Sequence, residues 1–122
     1  MLYYIYKINK KTGGYKMNMI LFHNDYDKEH LEEVKSEMKV LGAPTIKAVY
    51  DECYGTWFAV EGCHRIRAAK ELGLTPIIED VTNQETVAMQ LNDETVEMEM
   101  AELLEILERC INNTSISFNT ED

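Results

Sequence analysis

The segment EGCHRIRAAKELGL, residues 61–74, combines residue types that bind anions with the start of a predicted helix. If that helix begins near Cys63, its first N–H groups have no partner within the helix and carry a partial positive charge. Gly62 allows a ligand to approach the backbone closely, and His64 and Arg65 add side-chain donors. The segment therefore predicts an anion site, and phosphate is the anion that fits it most naturally.

The position of Arg65 on this helix is unusual. With 100° of rotation per residue, one side of the helix carries Ile66, Ala68, Ala69 and Leu72, and the other carries Cys63, Arg67, Lys70 and Glu71. Arg65 falls within the apolar side, where a guanidinium is costly unless it meets an anion or a buried acid. Two interpretations stay open. Either Arg65 binds a ligand at a pocket mouth, or it pairs with Glu61 or Glu79 while His64 hydrogen-bonds a backbone carbonyl.

Composition limits the classes of function. The chain has 122 residues, enough for about one domain, and its 12 basic against 22 acidic residues give a net charge of −10. Such a surface repels phosphate backbones and anionic lipid, so we expect neither general nucleic-acid binding nor membrane binding. The three cysteines include no CxxC pair, which fits neither a disulfide framework nor a zinc site. Without a signal peptide or long apolar run, we expect a cytoplasmic protein.

The first two thirds of the chain alternate between strand and helix patterns. MLYYIYKI and YKMNMILF, separated by NKKTGG, predict a leading β-hairpin. A helix follows from Asp27, the candidate N-cap, to a stop at Gly42; its apolar positions are Leu31, Val34, Met38 and Leu41. PTIKAVY and TWFAVE predict a strand pair, and TPIIEDV predicts a strand after the helix that ends at Gly73. The expected fold is α+β, a small mixed sheet packed with helices.

Residues 83–111 predict an acidic helical extension of the same domain, which otherwise spans residues 1–82. A short helical pattern contains Val87 and Leu91. A longer amphipathic one contains Val96, Met100, Leu103, Leu107 and Ile111. Its apolar stripe either covers the domain's own core, or binds a protein partner or a second copy of the chain through residues 93–111. Residues 112–122 predict a polar, frayed tail.

The stretch EGCHRIRAAKELGLTPII resembles the signature of the ParB/sulfiredoxin fold superfamily. There, a G-x-H/R-R segment opens a helix, an Ala-rich face follows, and a turn ending in Gly leads into a strand. Together with the preceding elements, the resemblance covers about residues 17–82. It implies that Gly62, Cys63, His64 and Arg65 bind the phosphates of a nucleoside triphosphate, ATP or CTP, with Lys28 as a looser counterpart at the preceding helix.

Within this superfamily, the tetrapeptide GCHR is similar to that of the sulfiredoxins and implies that Cys63 is a catalytic nucleophile. A thiol at a helix N-terminus, beside His64 and Arg65, has increased thiolate character, so we expect Cys63 to be the most reactive of the cysteines. Two features differ from sulfiredoxins. Glu61 stands where they have Gly, and IRAAKELGL is closer to ParB-type domains.

Two functions from different classes follow. One is nucleoside triphosphate binding at Gly62–Arg65, with phosphoryl transfer or hydrolysis open and Mg²⁺ as a companion ion. Asp25, with His23 and Asp27, could hold that magnesium, although these aspartates also suit capping of the next helix. The other function is a non-catalytic regulatory or protein-binding module that uses the acidic C-terminal helix.

Overall fold

The computed structural model describes residues 15–91 and 94–120, which form three helices and seven strands. In chain order these are β1 (Tyr15–Ile20), α1 (Lys28–Leu41), β2 (Thr45–Asp51), β3 (Thr56–Ala59), α2 (Cys63–Leu72), β4 (Ile77–Asp80), β5 (Thr86–Leu91), β6 (Glu94–Glu99), α3 (Met100–Glu108) and β7 (Ser115–Thr120). The predicted α+β class is confirmed. No helix in this part of the chain is long and apolar enough to cross a membrane.

Five strands form one mixed sheet in the order β4-β2-β3-β1-β7, and β5 pairs with β6 in a separate two-stranded sheet. The predicted strand pair is β2 and β3, which run antiparallel and bring Asp51 opposite Thr56. β4 is parallel to β2, and β1 is parallel to β3. The first strand of the predicted leading hairpin falls on residues 1–14, outside the described residues.

Both faces of the five-stranded sheet are covered, because side chains of successive strand residues point to opposite faces. On the face covered by α1 and α2, called the helix face, the strands contribute Met17, Met19, Ile46, Ala48, Tyr50, Trp57, Ala59 and Phe118. On the face covered by β5, β6 and α3, called the hairpin face, they contribute Ile20, Val49 and Phe58. This double coverage explains why all four residues of β3 are buried.

The sequence predicts α1 well. The Asp27 carboxylate accepts hydrogen bonds from the N–H groups of Glu29 and His30 at 2.8 and 3.2 Å, as an N-cap should. Gly42 ends the helix at φ +86°, and Leu31, Val34 and Met38 are buried as expected. Leu41 is the exception. It is 81% exposed because the last turn of α1 borders a cavity rather than the sheet.

The predicted short helix that contains Val87 and Leu91 and the predicted start of the longer helix are wrong. Residues 86–99 form a β-hairpin, in which Val87 pairs with Met98 and Met89 with Val96. Val87 and Met89 are buried and Thr86 is exposed, which is the two-residue period of a strand. The second predicted helix, whose pattern included Val96, begins only at Met100 as α3.

The prediction of a frayed tail over residues 112–122 is also wrong for residues 115–120, which form β7. β7 pairs antiparallel with the whole of β1, from Tyr15 opposite Thr120 to Ile20 opposite Ser115. Phe118 lies 3% exposed in the core of the helix face. The polar residues of the tail alternate with Ile116 and Phe118, so one face of the strand is apolar and packs against the domain.

Candidate anion-binding site

α2 begins where the sequence predicts, and its N-terminus has no side-chain cap. Gly62 adopts the left-handed conformation at φ +78° and ψ +30° and makes no capping hydrogen bond through a side chain. The first helical bond is donated by the Ile66 N–H to the Gly62 carbonyl. The N–H groups of Cys63, His64 and Arg65 therefore have no partner within the helix. This end of α2 is free to bind an anion.

The residues that carry these N–H groups line a cavity of about 450 Å³ between α1 and α2, called the α1–α2 cavity. One wall is the first turn of α2, from Gly62 to Arg65. The other wall and the rim are His23, His30, Val34, Glu37, Met38, Leu41, Gly42, Ala43 and Pro44. The α1 members recur at the spacing of one helix face. The volume is within the range of small-molecule sites, which is roughly 300–1,000 Å³.

Arg65 pairs with an acid and also lines the α1–α2 cavity. Its Nη1 donates to the Thr45 carbonyl at 2.9 Å, and its Nη2 lies 3.3 Å from Oε2 of Glu61. Glu61, and not Glu79, is therefore the acid that it meets. The side chain is nevertheless 39% exposed and lines the α1–α2 cavity. A guanidinium has five N–H donors, so donors remain for a ligand beside these two contacts.

His64 accepts a hydrogen bond instead of satisfying a carbonyl. The Asp27 N–H donates to His64 Nε2 at 2.9 Å, which ties the start of α1 to the start of α2. Because Nε2 is the acceptor, the proton of the neutral ring is on Nδ1. Burial lowers the pKa of His64, and the nearby His30 and His23 lower it further. His64 is thus held as a neutral donor at the cavity wall.

Cys63 is buried, although it lies on the side of α2 that the sequence predicts to be polar. It is 4% exposed, and its Sγ donates to the His23 carbonyl at 3.6 Å, because the loop between β1 and α1 covers the first turn of α2. Cys110 is also buried, whereas Cys53 is exposed. Ile66, Ala68 and Ala69 are buried as expected.

The loop between β1 and α1 is held from both sides by contacts that the sequence does not reveal. Arg67 Nη2 donates to the Asn24 carbonyl at 2.9 Å, and the Arg67 guanidinium lies 4.2 Å from the centre of the Tyr26 ring. From the other side, Asn113 Nδ2 donates to the Phe22 carbonyl at 3.0 Å. These contacts fix the position of His23 beside the cavity.

Two predicted residues lie outside the α1–α2 cavity. Lys28 is the exposed first residue of α1 and is not among the lining residues. Asp25 is exposed, and its backbone carbonyl accepts a hydrogen bond from His23 Nδ1 at 3.1 Å. Within residues 15–91 and 94–120, no three His, Cys, Asp or Glu side chains are arranged to hold a metal ion. Of the two interpretations of the aspartates, capping applies to Asp27.

Sequence reasoning missed His30, which the structure places at the cavity wall. The rings of His30 and His64 lie edge to face, with centroids 4.6 Å apart. The sequence does place His30 on the same face of α1 as Val34 and Met38, because it precedes them by four and eight residues. All three histidines of the chain line this one cavity.

Comparison with known families agrees with this architecture. Residues 17–101 match the model of the ParB N-terminal domain, which is more than half of the chain. The chain belongs to the ParB N-terminal domain family. The ParB part of the resemblance is therefore confirmed, and the matched region extends past residue 82 through β5 and β6 to the start of α3. Neither the comparison with curated proteins nor that with solved structures found a match.

Proposed function

We propose that this ParB-like domain binds a nucleoside triphosphate in the α1–α2 cavity, with the phosphates against the first turn of α2. The observation that carries the proposal is the uncapped N-terminus of α2, which opens into a cavity that also contains the Arg65 guanidinium. Three free N–H groups, the positive end of the helix dipole and a planar cation are the elements that recognise phosphate.

The rest of the cavity suits the nucleoside part of the ligand. Val34, Met38 and Leu41 form an apolar strip along α1, and Pro44 continues it on the rim. Apolar walls with a few polar groups are typical of small-molecule sites. The cavity therefore offers a polar end for phosphates and an apolar wall for a base.

The negative charge near the cavity favours a magnesium-bound nucleotide over a free one. The chain carries a net charge of −10, and the carboxylates of Glu37 and Glu61 lie at or beside the cavity. A metal-bound nucleotide brings less negative charge than a free one. Because the described residues include no three-ligand metal cluster, the ion would be held mainly by phosphate oxygens and water.

Binding is a stronger proposal than turnover at Cys63. A nucleophilic thiol has to reach a phosphoryl group, whereas Cys63 Sγ is buried and donates to the His23 carbonyl. A covalent step would require the loop between β1 and α1 to move away from α2. Hydrolysis or phosphoryl transfer stays a hypothesis that the affinity experiment below leaves open.

The test is a thermal-shift and calorimetry screen of ATP, CTP, GTP and ADP with magnesium. A ligand at 100 times its Kd adds about 2.7 kcal/mol of stability. Arg65→Ala should remove most of this effect, while Arg109→Ala, an exposed arginine outside the cavity, should not change it. Equal affinities in the two variants, or no nucleotide effect in the wild type, would contradict the proposal.

A protein-binding role for the C-terminal region is the second candidate. Leu104 on α3 is 45% exposed and Val96 on β6 is 38% exposed, among acidic neighbours. Most of the predicted apolar stripe, however, is buried in the domain itself at Leu103 and Leu107. Sedimentation velocity of the wild type and Leu104→Asp tests self-association. A concentration-dependent dimer that the substitution removes would favour this candidate.

A further inference from the structure

The three histidines reach the α1–α2 cavity from three separate elements. His23 lies in the loop after β1, His30 in the first turn of α1, and His64 in the first turn of α2. Their convergence is not a local sequence pattern, because the residues are up to 41 positions apart, from 23 to 64. Imidazoles are the side chains whose charge ordinarily changes near neutral pH. The cavity therefore holds charges that can respond to a ligand.

The three rings are not equivalent. His64 Nε2 accepts the Asp27 N–H, so protonation at that nitrogen would break the contact between the two helices. His23 Nδ1 donates to the Asp25 carbonyl, which leaves its Nε2 free to take a proton. His30 is half exposed, with Nδ1 3.5 Å from a Glu33 oxygen that would stabilise its cation. His23 and His30 are the two rings able to gain charge without breaking a helix contact.

The charges around His30 come from every neighbouring element. α1 contributes Glu33 and Glu37, α2 contributes His64 and Arg65, and the preceding loop contributes His23 and Asp27. A phosphate beside the first turn of α2 would favour protonated imidazoles, because its negative charge stabilises their positive charge.

We propose that the anion enters the α1–α2 cavity together with proton uptake by His30 and His23, so that the site binds the anion more tightly at lower pH. The inference rests on the proposed function and adds to it the regulation of the same site. By linkage, the liganded state binds more protons than the free state, so Kd falls as pH falls. Kd can change by at most about tenfold per pH unit for each proton taken up.

The experiment is calorimetry of the whole chain with Mg-ATP, at one pH near 6.5, in two buffers of different ionisation enthalpy. The difference in apparent enthalpy gives the number of protons taken up. We expect net uptake in the wild type and close to none in the double variant His23→Gln, His30→Gln. Inorganic sulfate serves as a second probe, because its charge stays constant over this pH range whereas a terminal phosphate itself titrates.

Two controls separate the inference from the proposed function. Arg109→Ala, outside the cavity, should bind with the same proton uptake as the wild type. Proton NMR of the histidine rings in the wild type, with and without ligand, reports the same protonation even if a variant fails to fold. Nucleotide binding without proton uptake, or with uptake unchanged in the double variant, would overturn the inference alone. Absence of binding for every probe would overturn the proposed function as well.

Discussion

The two faces of the sheet each carry a cavity of similar size, but the charged and titratable residues that line the two cavities differ. On the helix face, the α1–α2 cavity of about 450 Å³ is lined by Arg65, three histidines and Glu37. A cavity of about 490 Å³, between the β2–β3 turn and α3, is lined by Asp51, Glu108 and mainly apolar residues, with no Lys, Arg or His among them. The two cavities therefore do not differ appreciably in volume. The arrangement of donors at a helix N-terminus decides which of them suits a phosphate.

The faces also differ in how they are packed. On the hairpin face, large side chains such as Met89, Leu103 and Leu107 fill the core. On the helix face, α2 contributes small residues, Ala68 and Ala69, and its polar end stays open. Stability and binding should therefore respond separately to substitutions on the two faces.

The largest effect is expected on the hairpin face. Leu107→Ala removes a fully buried side chain and should lower the free energy of unfolding by about 2–5 kcal/mol. Nucleotide affinity of the folded protein should stay unchanged, because the residue is on the face opposite the α1–α2 cavity. Urea unfolding and calorimetry measure the two quantities. A loss of affinity in protein that is still fully folded would show that the faces are coupled.

Gly62→Ala should affect both stability and binding. Gly62 has a positive φ, and a Cβ there would lie 2.8 Å from Ile46 Cδ1. Left-handed backbone costs a non-glycine residue about 1–3 kcal/mol. Gly73→Ala is the matched control, since Gly73 has nearly the same backbone conformation and open space around its Cβ position. If nucleotide binding weakens in Gly62→Ala but not in Gly73→Ala, the loss of affinity comes from the α1–α2 cavity and not from backbone strain. Equal affinities in the two variants would contradict this prediction.

Arg65→Ala should reduce nucleotide affinity by about tenfold or more, as expected for the loss of charge-assisted hydrogen bonds. Its effect on stability should stay near 0–1 kcal/mol, because the pair with Glu61 is partly exposed. Arg65→Lys should restore affinity only in part, since an ammonium cannot make the two-pronged contact. A loss of about 3–5 kcal/mol without wild-type nucleotide binding would instead identify a structural ion pair.

His64 should make the helix face sensitive to acid. Its pKa is lowered in the folded protein, so the unfolded chain binds the proton more readily. Stability from this group is complete above the unfolded pKa of about 6.5 and decreases as pH falls below it. The effect should be under about 1 kcal/mol, because the ring is only partly buried. Urea midpoints from pH 7.5 to 5.5 should fall less in His64→Gln than in the wild type.

The smallest effect concerns thiol labelling. Cys53 is exposed and Cys63 is buried, so alkylation at neutral pH should modify Cys53 first. This order is the reverse of what the GCHR motif predicts. Peptide mass spectrometry of briefly labelled protein gives the order directly. Preferential labelling of Cys63 would mean that the loop between β1 and α1 opens readily. It would then support Cys63 as a nucleophile.

Local signals were enough to predict both helices of the helix face and the strand pair β2–β3. Asp27, Gly42 and Gly62 mark helix ends through their own backbone chemistry, and the strand pair β2–β3 is joined by a short turn. The anion site begins at one of these ends, so its core, from Gly62 to Arg65, was visible as well. The histidines from other elements were not, because no local rule brings residues 23, 30 and 64 together.

The β5–β6 hairpin and β7 were not predicted from the sequence, for two physical reasons. In residues 86–99, Val, Met and Glu are spaced so that both helical and alternating patterns can be drawn, and tertiary packing decides between them. For β7, the pairing partner is β1, about a hundred residues earlier, and a polar strand without its partner looks like a tail. The burial of Cys63 has the same origin, because His23 from a distant loop covers it.

The pairing of β1 with β7 has a consequence for how the domain folds. β1 contacts β3 on one side and β7 on the other, so the five-stranded sheet is complete only when β1 has paired with a strand about a hundred residues later. Closing so long a loop costs entropy before any contact repays it, and such non-local pairing slows folding. During synthesis, β1 therefore lacks this hydrogen-bonding partner until β7 has left the ribosome.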